Sequence, residues 1–395
     1  MWEEARGEQG KLVAEVALYE DPLLVDYLEG IVAGLTPPAM AANRHLSYRV
    51  TVVEDPTLNA FAYPHGALFV HTGLLARMEN EAQLATVLGH EMSHVEYRHM
   101  LRQRRSAQNK QIALAAAAVA AAVVLADAEA DAWGDGDWGE AAMIGVLGEA
   151  ILSLGLQLAF VAAVNGYGRE LELEADQGGF RKLSAAGYDV AQAPRVYEIL
   201  LEGAGGEAGK VETFFFGSHP RLSERVASAN EFVASRGEAA AALVAVNGMA
   251  HAEEEPASEE FRRRLRPVVR DDAAMNLEAG RLEHAEASLA KAMEWMPEDP
   301  ESHLVLARLR LAQAEKDPER AGEREAEARA ALHEAIRLDA DRPGPHHELA
   351  LLHYRAGELA DACREFRFFL ELAPDDERAG RVEDYVLELV GRGVC

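Results

Sequence analysis

The residues best suited to chemistry are His90-Glu91-Met92-Ser93-His94. Two histidines four apart on a helix share one face, about one turn from each other, so both imidazoles can reach a single metal ion. Glu91, beside the first histidine, can take the proton of a metal-bound water. A surface helix carrying two polar histidines is the plainer reading, and the flanking residues weigh against it. Asn80 is a good N-cap, with Gln83 three residues on as in a capping box. Leu84, Val87, Leu88, Met92 and Val95 form a helical apolar stripe, and Arg98, Arg102, Arg104 and Arg105 suit a helix C-terminus. The pattern predicts one helix from about Glu81 to Arg105, with the motif in its middle. His99, five positions past His94, falls on another face and reads as structural.

Two more segments can complete such a site. Tyr167 to Asp176 is polar and helix-prone, and Glu172 and Asp176 are four apart on one face. One carboxylate can bind a metal while the other accepts a hydrogen bond from a ligand histidine, which fixes that ring's tautomer. Glu170 and Glu174 compete from a different face, and an ordinary solvated acidic helix is an equal reading of this segment alone. From Asn59 to Leu75, two short β-prone runs flank Pro64-His65-Gly66 and lead into a helix start. An exposed strand edge there can bind an extended peptide by strand addition. His65 and His71 are rival ligands, but a turn and a strand suit structural or substrate-contact roles better.

Taken in order, Asn59-Ala60-Phe61-Ala62-x-Pro64-x-Gly66, then His90-Glu91-x-x-His94, then Glu172-x-x-Ala175-Asp176, then His219-Pro220 resemble the exported, HtpX-like and CAAX-prenyl-protease-like branch of the gluzincin metallopeptidases. The resemblance runs from about Leu23 to about Val233. It implies that His90, His94 and Glu172 bind one Zn2+ per chain, that Glu91 is the general base, and that Asp176 supports a ligand histidine. His219 is implied to lie close to the metal. It either occupies the fourth zinc position and holds the enzyme inactive, as in relatives of the BepA type with C-terminal repeats, or stabilises the oxyanion.

The chain has 395 residues and a formal net charge of -28, from 67 acidic and 39 basic residues. That length leads us to expect two or three domains. That charge repels phosphate and argues against nucleic acid as a partner. Cys363 and Cys395 are too few for a disulfide framework or a thiolate cluster and leave the redox compartment open. The first residues, Met1 to Glu8, lack the basic start and apolar core of a secretory signal. The resemblance nevertheless favours a periplasmic or envelope-associated protein over a cytoplasmic one.

The expected fold is α+β and mostly helical: a gluzincin-type peptidase domain with a small β-sheet over 1–235, a linker over 236–268, and an all-α repeat domain over 269–395. Lys11 to Leu35 reads as helix with Asp21-Pro22 as an interruption, and Ser47 to Val53 as a strand. Ile112 to Ala126 and Ala142 to Val164 are apolar runs on either side of an acidic stretch with Trp133 and Trp138. Buried helices beside the site are the default for them, peripheral membrane contact is a second reading, and a two-span hairpin is the weakest because the first run is short for a bilayer. In the last third, Met296-Pro297, Asp339-Ala340 and Ala373-Pro374 hold equivalent places, and Ala340 and Pro374 lie one 34-residue tetratricopeptide period apart. The first interval is nine residues longer, with Lys316 to Glu325 supplying the excess. This resembles three TPR units, whose concave surfaces take peptides or partner proteins.

The function implied is a zinc endopeptidase of the bacterial envelope acting on misfolded or unassembled proteins. Its repeats would recruit protein or peptide substrates or a partner protein, outer-membrane assembly machinery among the candidates. The alternative is a TPR scaffold or chaperone whose zinc site is latched by His219 and mainly structural.

Overall fold

The computed structural model describes residues 2–42, 46–106, 168–204, 222–247 and 259–395. The apolar runs within 112–164, and His219, lie outside the described residues. The described residues are mostly helical, with one small three-stranded sheet. They form two compact units, one holding 1–74 and 78–258, the other 75–77 and 259–395.

In the first unit, helix α1 (Trp2–Glu15) precedes α2 (Pro22–Leu35). The interruption expected at Asp21-Pro22 divides the stretch from Lys11 to Leu35 between two helices, and it starts earlier, after Glu15. Proline biases its predecessor away from the helical region. Asp21 therefore ends the run and caps the next helix, its carboxylate accepting from the Leu23 and Leu24 amides at 2.9 and 3.1 Å. The extended stretch between them pairs with the sheet, where Leu18 bridges Val53 and the Tyr19 N–H donates to the Val52 carbonyl. Helix α2 then buries Leu24, Leu28, Ile31 and Leu35 along one stripe. A single turn of helix, α3 (Pro38–Ala41), follows.

The sheet holds β1 (Arg49–Val53), β2 (Ala60–Ala62) and β3 (Ala67–His71) in the order β1-β3-β2. β1 runs parallel to β3, with Val50 opposite Leu68. β2 is antiparallel to β3, with Phe61 opposite Phe69, and the two rings stack at 5.0 Å. All five residues of β3 are buried, as befits the central strand; among the described residues β1 and β2 are the outer strands, and Leu18 bridges to β1. A short helix α4 (Thr72–Arg77) leads from β3 toward the motif helix α5 (Glu81–Glu96), which packs on β2 and β3.

Among the described residues, this unit also holds α6 (Arg169–Ala186), α7 (Ala193–Ala204) and α8 (Leu222–Asn247). Gly187, with φ of 85°, closes α6 in the left-handed conformation, where a Cβ would be strained. Helix α8 runs on into the stretch expected as a linker (236–268), and the next helix begins at Glu259. The alanine-rich sequence after Glu238 favours helix over loop.

The second unit is helical throughout. Its pairs are α9 (Glu259–Glu278) with α10 (Leu282–Trp295), α11 (Pro300–Lys316) with α12 (Ala321–Leu338), and α13 (Pro343–Ala356) with α14 (Leu359–Leu372), followed by α15 (Ala379–Gly391). Gly280 and Gly357, with φ of 73° and 78°, make the tight turns inside the first and third pairs. The additional residues around Lys316 to Glu325 are taken up mostly as helix, in a second pair with helices of 17 and 18 residues. The cores form a chain. Ala273, Ala285, Leu289, Val305 and Leu309 join the first pair to α11. Leu304, Ala307, Ala328, Leu332, Leu349 and Leu352 join the second pair to α13. Ala350, Ala362, Phe366, Val382 and Leu389 join the third pair to α15. Each pair therefore covers an apolar face only by stacking on its neighbour.

Candidate metal centre

Helix α5 begins where the sequence places it. The Asn80 side chain accepts from the Gln83 amide at 3.0 Å, and the Gln83 side chain in turn accepts from the Glu79 amide at 2.8 Å. The helix ends earlier than expected, at Glu96 rather than near Arg105. Arg98 sits at φ 55°, in the left-handed region, and a new helical stretch covers 99–106. A non-glycine residue there is uncommon, and nothing in the local sequence announces it.

Helix α6 crosses α5 at very short range because small residues meet at the crossing. A Cβ on Gly179 would lie 3.1 Å from the backbone nitrogen of His90, and one on Gly178 would lie 2.6 Å from Ser93 Oγ. Beside the crossing, the buried Lys182 amine donates to Ser93 Oγ at 2.9 Å and pairs with Glu96 at 2.7 Å. Bulkier residues would separate the helices and withdraw the carboxylates of α6 from the histidines of α5.

At this crossing the expected ligands come together. One donor atom each from His90, His94 and Glu172 lies within 4.8 Å of the others, and all three residues are buried. Nε2 of His90 and Nε2 of His94 are 2.9 Å apart, and they stand 3.6 and 3.5 Å from the Glu172 oxygens. Glu91 is buried on the same helix. Two imidazoles and one carboxylate are a donor set typical of catalytic zinc. The residues present therefore fit a metal ion, with His90, His94 and Glu172 as the side chains that would hold it.

The outer nitrogens of both rings are held as well. His90 Nδ1 is 2.7 Å from Asp176 Oδ1, and Asp176 is fully buried. A carboxylate can only accept, so it takes the Nδ1 proton and leaves the Nε2 lone pair facing His94 and Glu172. His94 Nδ1 meets His99 Nδ1 at 2.9 Å. His99 is thus not on a remote face. The reversal at Arg98 returns its ring to the ligand, a contact that counting residues along a continuous helix misses.

Arg225, on α8, is the other residue that sequence reasoning missed. It is buried, and it donates to Asp176 through Nε at 2.9 Å and through Nη2 at 2.6 Å. Its Nη1 lies 3.3 Å from Glu172 Oε2, and its guanidinium stacks on the Tyr197 ring at 4.5 Å. The Tyr197 hydroxyl donates to Asp176 at 2.7 Å. Burial alone would push the Asp176 carboxyl up, but the Arg225 charge and the bond to His90 outweigh it and hold Asp176 ionised, well below the usual carboxylate range. Burial, reinforced by Arg225, lowers His90 to about 4. Neutral imidazole is the form a metal ion binds.

The competing residues lie elsewhere. Glu174 pairs with Arg102 at 2.5 Å and stands 3.4 Å from His99 Nε2. His65 bonds Gln9 at 2.7 Å, and His71 bonds Thr57 at 2.9 Å beside Asp55. The two cysteines, too few for a disulfide framework, form a single bridge: Cys363 on α14 pairs with Cys395, with Cα atoms 6.0 Å apart. Among the described residues, no helix is long and apolar enough to cross a membrane.

The model of Peptidase family M48 matches residues 22–233. Mitochondrial metalloendopeptidase OMA1 of Arabidopsis thaliana is 33% identical over 198 residues, covering 49% of this chain and 34% of that one. The protein of the same description from Schizosaccharomyces pombe is 32% identical over 195 residues, covering 49% of each. Beta-barrel assembly-enhancing protease of Escherichia coli is 28% identical over 230 residues, covering 55% of this chain and 41% of that one. The chain thus spans less than half the length of the curated relatives it matches.

Proposed function

The chain belongs to peptidase family M48, and from that premise we propose that it is a zinc-dependent endopeptidase acting on unfolded or unassembled protein segments. The observation that carries this reading is the convergence of His90, His94 and Glu172 on one buried point, with Asp176 behind His90. A zinc ion bound there lowers the pKa of a coordinated water to about 7 and polarises the scissile carbonyl. Everything else is work for the chain's own groups. His90 and His94 turn their Nε2 atoms toward each other and toward Glu172. Arg225 offsets the charge of Asp176 and Glu172. Glu91, next to His90, takes the proton from the attacking water and passes it to the leaving amine. The edge strand β2 lies against the motif helix and offers backbone groups to an extended substrate, as strand addition requires. An extended, unpaired segment is what unfolded proteins supply and folded ones withhold.

The second unit acts, in this reading, as a TPR array that recruits substrate or docks a partner. Its three stacked helix pairs with linked cores support that assignment. We place the protein in an oxidising compartment, the bacterial envelope, where the Cys363–Cys395 pair would persist. His219, which lies outside the described residues, keeps its proposed place near the metal.

The test is hydrolysis of casein and of a short peptide by the purified chain, with and without chelator, alongside Glu91→Gln. The variant is expected to keep its zinc and lose about 10²–10⁴-fold in turnover. If it cleaved at the wild-type rate, Glu91 would not be the base.

A further inference from the structure

His99 lies outside the ligand set, yet its ring is fully buried against that of His94. The two rings cross nearly at right angles, 80° between planes with centroids 4.8 Å apart, which suits an in-plane hydrogen bond between their Nδ1 atoms at 2.9 Å. The contact exists because the chain leaves the helix at Tyr97, takes φ 55° at Arg98 and resumes helix at 99. Had α5 simply continued, the fifth residue after His94 would point away from it.

We propose that His99 is a positioning residue, whose Nδ1 accepts the Nδ1 proton of His94 and so turns the His94 Nε2 lone pair toward the metal. This rests on the zinc reading above. The proton bookkeeping has one consistent solution. A ligating His94 must carry its proton on Nδ1, so the partner at 2.9 Å must accept. His99 Nδ1 then holds a lone pair, and its proton sits on Nε2. That nitrogen faces an acceptor, the Glu174 carboxylate at 3.4 Å, which Arg102 holds in place. The donor of the ring pair is therefore His94, and the Glu174 carboxylate stands at ion-pair distance, 3.4 Å, from the far nitrogen of the His99 ring. His90 and His94 thus receive different supports: a carboxylate directly for the first, and an imidazole backed by a carboxylate for the second. An imidazole acceptor leaves His94 less electron-rich than His90, while still fixing its tautomer.

The chemistry suggests its own rescue. Asparagine places Oδ1 close to where histidine places Nδ1, and that oxygen can only accept. The experiment measures the Zn2+ dissociation constant of the full chain by competition with a chromophoric chelator. The absorption of the Co2+-substituted protein provides a second readout. His99→Leu is expected to weaken zinc binding about 10–100-fold and to change the Co2+ spectrum. His99→Asn is expected to stay within about threefold of wild type. If His99→Leu does not fold, Glu174→Ala removes the carboxylate that faces His99 Nε2 at a half-exposed site and is expected to weaken binding by about threefold or more. Wild-type affinity in folded His99→Leu, or in Glu174→Ala where the former is unfolded, overturns the inference, as does His99→Asn binding no better than His99→Leu. A wild-type chain that takes up no zinc overturns the metal reading itself, which separates the two failures.

Discussion

The two units handle burial in opposite ways. In the first, ionisable groups are buried together: His90, Glu91, His94, His99, Glu172, Asp176, Lys182 and Arg225 are each 6% exposed or less. In the second, the centre is a chain of alanine, leucine and phenylalanine clusters shared between successive helix pairs, with isolated polar contacts such as Asp272 with Ser288. Desolvating a charge is expensive unless it is matched, and the matching must come from groups fixed in place. The first unit therefore spreads its site over several elements that must all be present. The second assigns each contact to a neighbouring pair. The contrast teaches that the first unit must match buried ionisable groups to fixed partners, as Arg225 is matched to Asp176 and Glu172, whereas the second unit meets that demand at few places.

The sharpest way to break this comparison is Arg225→Met. It removes the cation from two buried carboxylates and is expected to destabilise the first unit by about 3–5 kcal/mol. Hydrogen exchange should show the loss in α5, α6 and α8 and leave α9 to α15 unchanged. Wild-type protection in α6 would mean that the carboxylates need no counter-charge. The converse test is Cys363→Ser. The bridge closes a sequence separation of 32, so its loss is expected to destabilise the second unit by about 4 kcal/mol, with α15 opening first. Exchange measured on oxidised and reduced protein checks this, and equal protection in both would show that the bridge constrains nothing.

A smaller effect sharpens the contrast through pH. His90 is lowered to about 4 from an ordinary 6.5, so between those values the unfolded chain binds the additional proton and the first unit loses stability as pH falls. Asp272 has the opposite sign. Burial raises it to about 6 from 3.8, so the folded state binds the proton, and that stability is lost as pH rises through 6. His346, raised by its bond to Glu365, acts in the same sense as Asp272. Taking chelator-treated protein from pH 7.5 to 5 is therefore expected to weaken the first unit by about 2 kcal/mol and to strengthen the second by about 1 kcal/mol. Two thermal transitions moving apart would show it, and Asp272→Asn should remove most of the second shift. Parallel movement of both transitions would contradict the assignment.

Legibility followed the range of the interactions. The spacing of His90 and His94, the Asn80 cap, the i, i+4 relation of Glu172 and Asp176 and the Gly187 stop are all local, and each could be read from adjacent residues; the Met296-Pro297, Ala340 and Pro374 positions were legible because they recur along the sequence. Arg225 could not, because an arginine 49 residues from Asp176 carries no local sign of its partner. Cys363 and Cys395 were equally silent about pairing, since cysteine count alone does not reveal which Cα atoms approach.

The sequence by itself determined the side chains on offer: two imidazoles in helical register with Glu91 beside them, a second helix with Glu172 and Asp176 on one face, and helices with apolar stripes in the last third. Those follow from helix periodicity and side-chain type, which act within a few residues. Only the tertiary structure decided which groups orient that chemistry. The glycine crossing at Gly178 and Gly179 set the distance between α5 and α6, and α8 delivered Arg225 to the carboxylates. The left-handed turn at Arg98 returned His99 to His94. Each of these depends on close packing between segments far apart in the chain, or on a backbone conformation that local preference disfavours and the surrounding fold imposes.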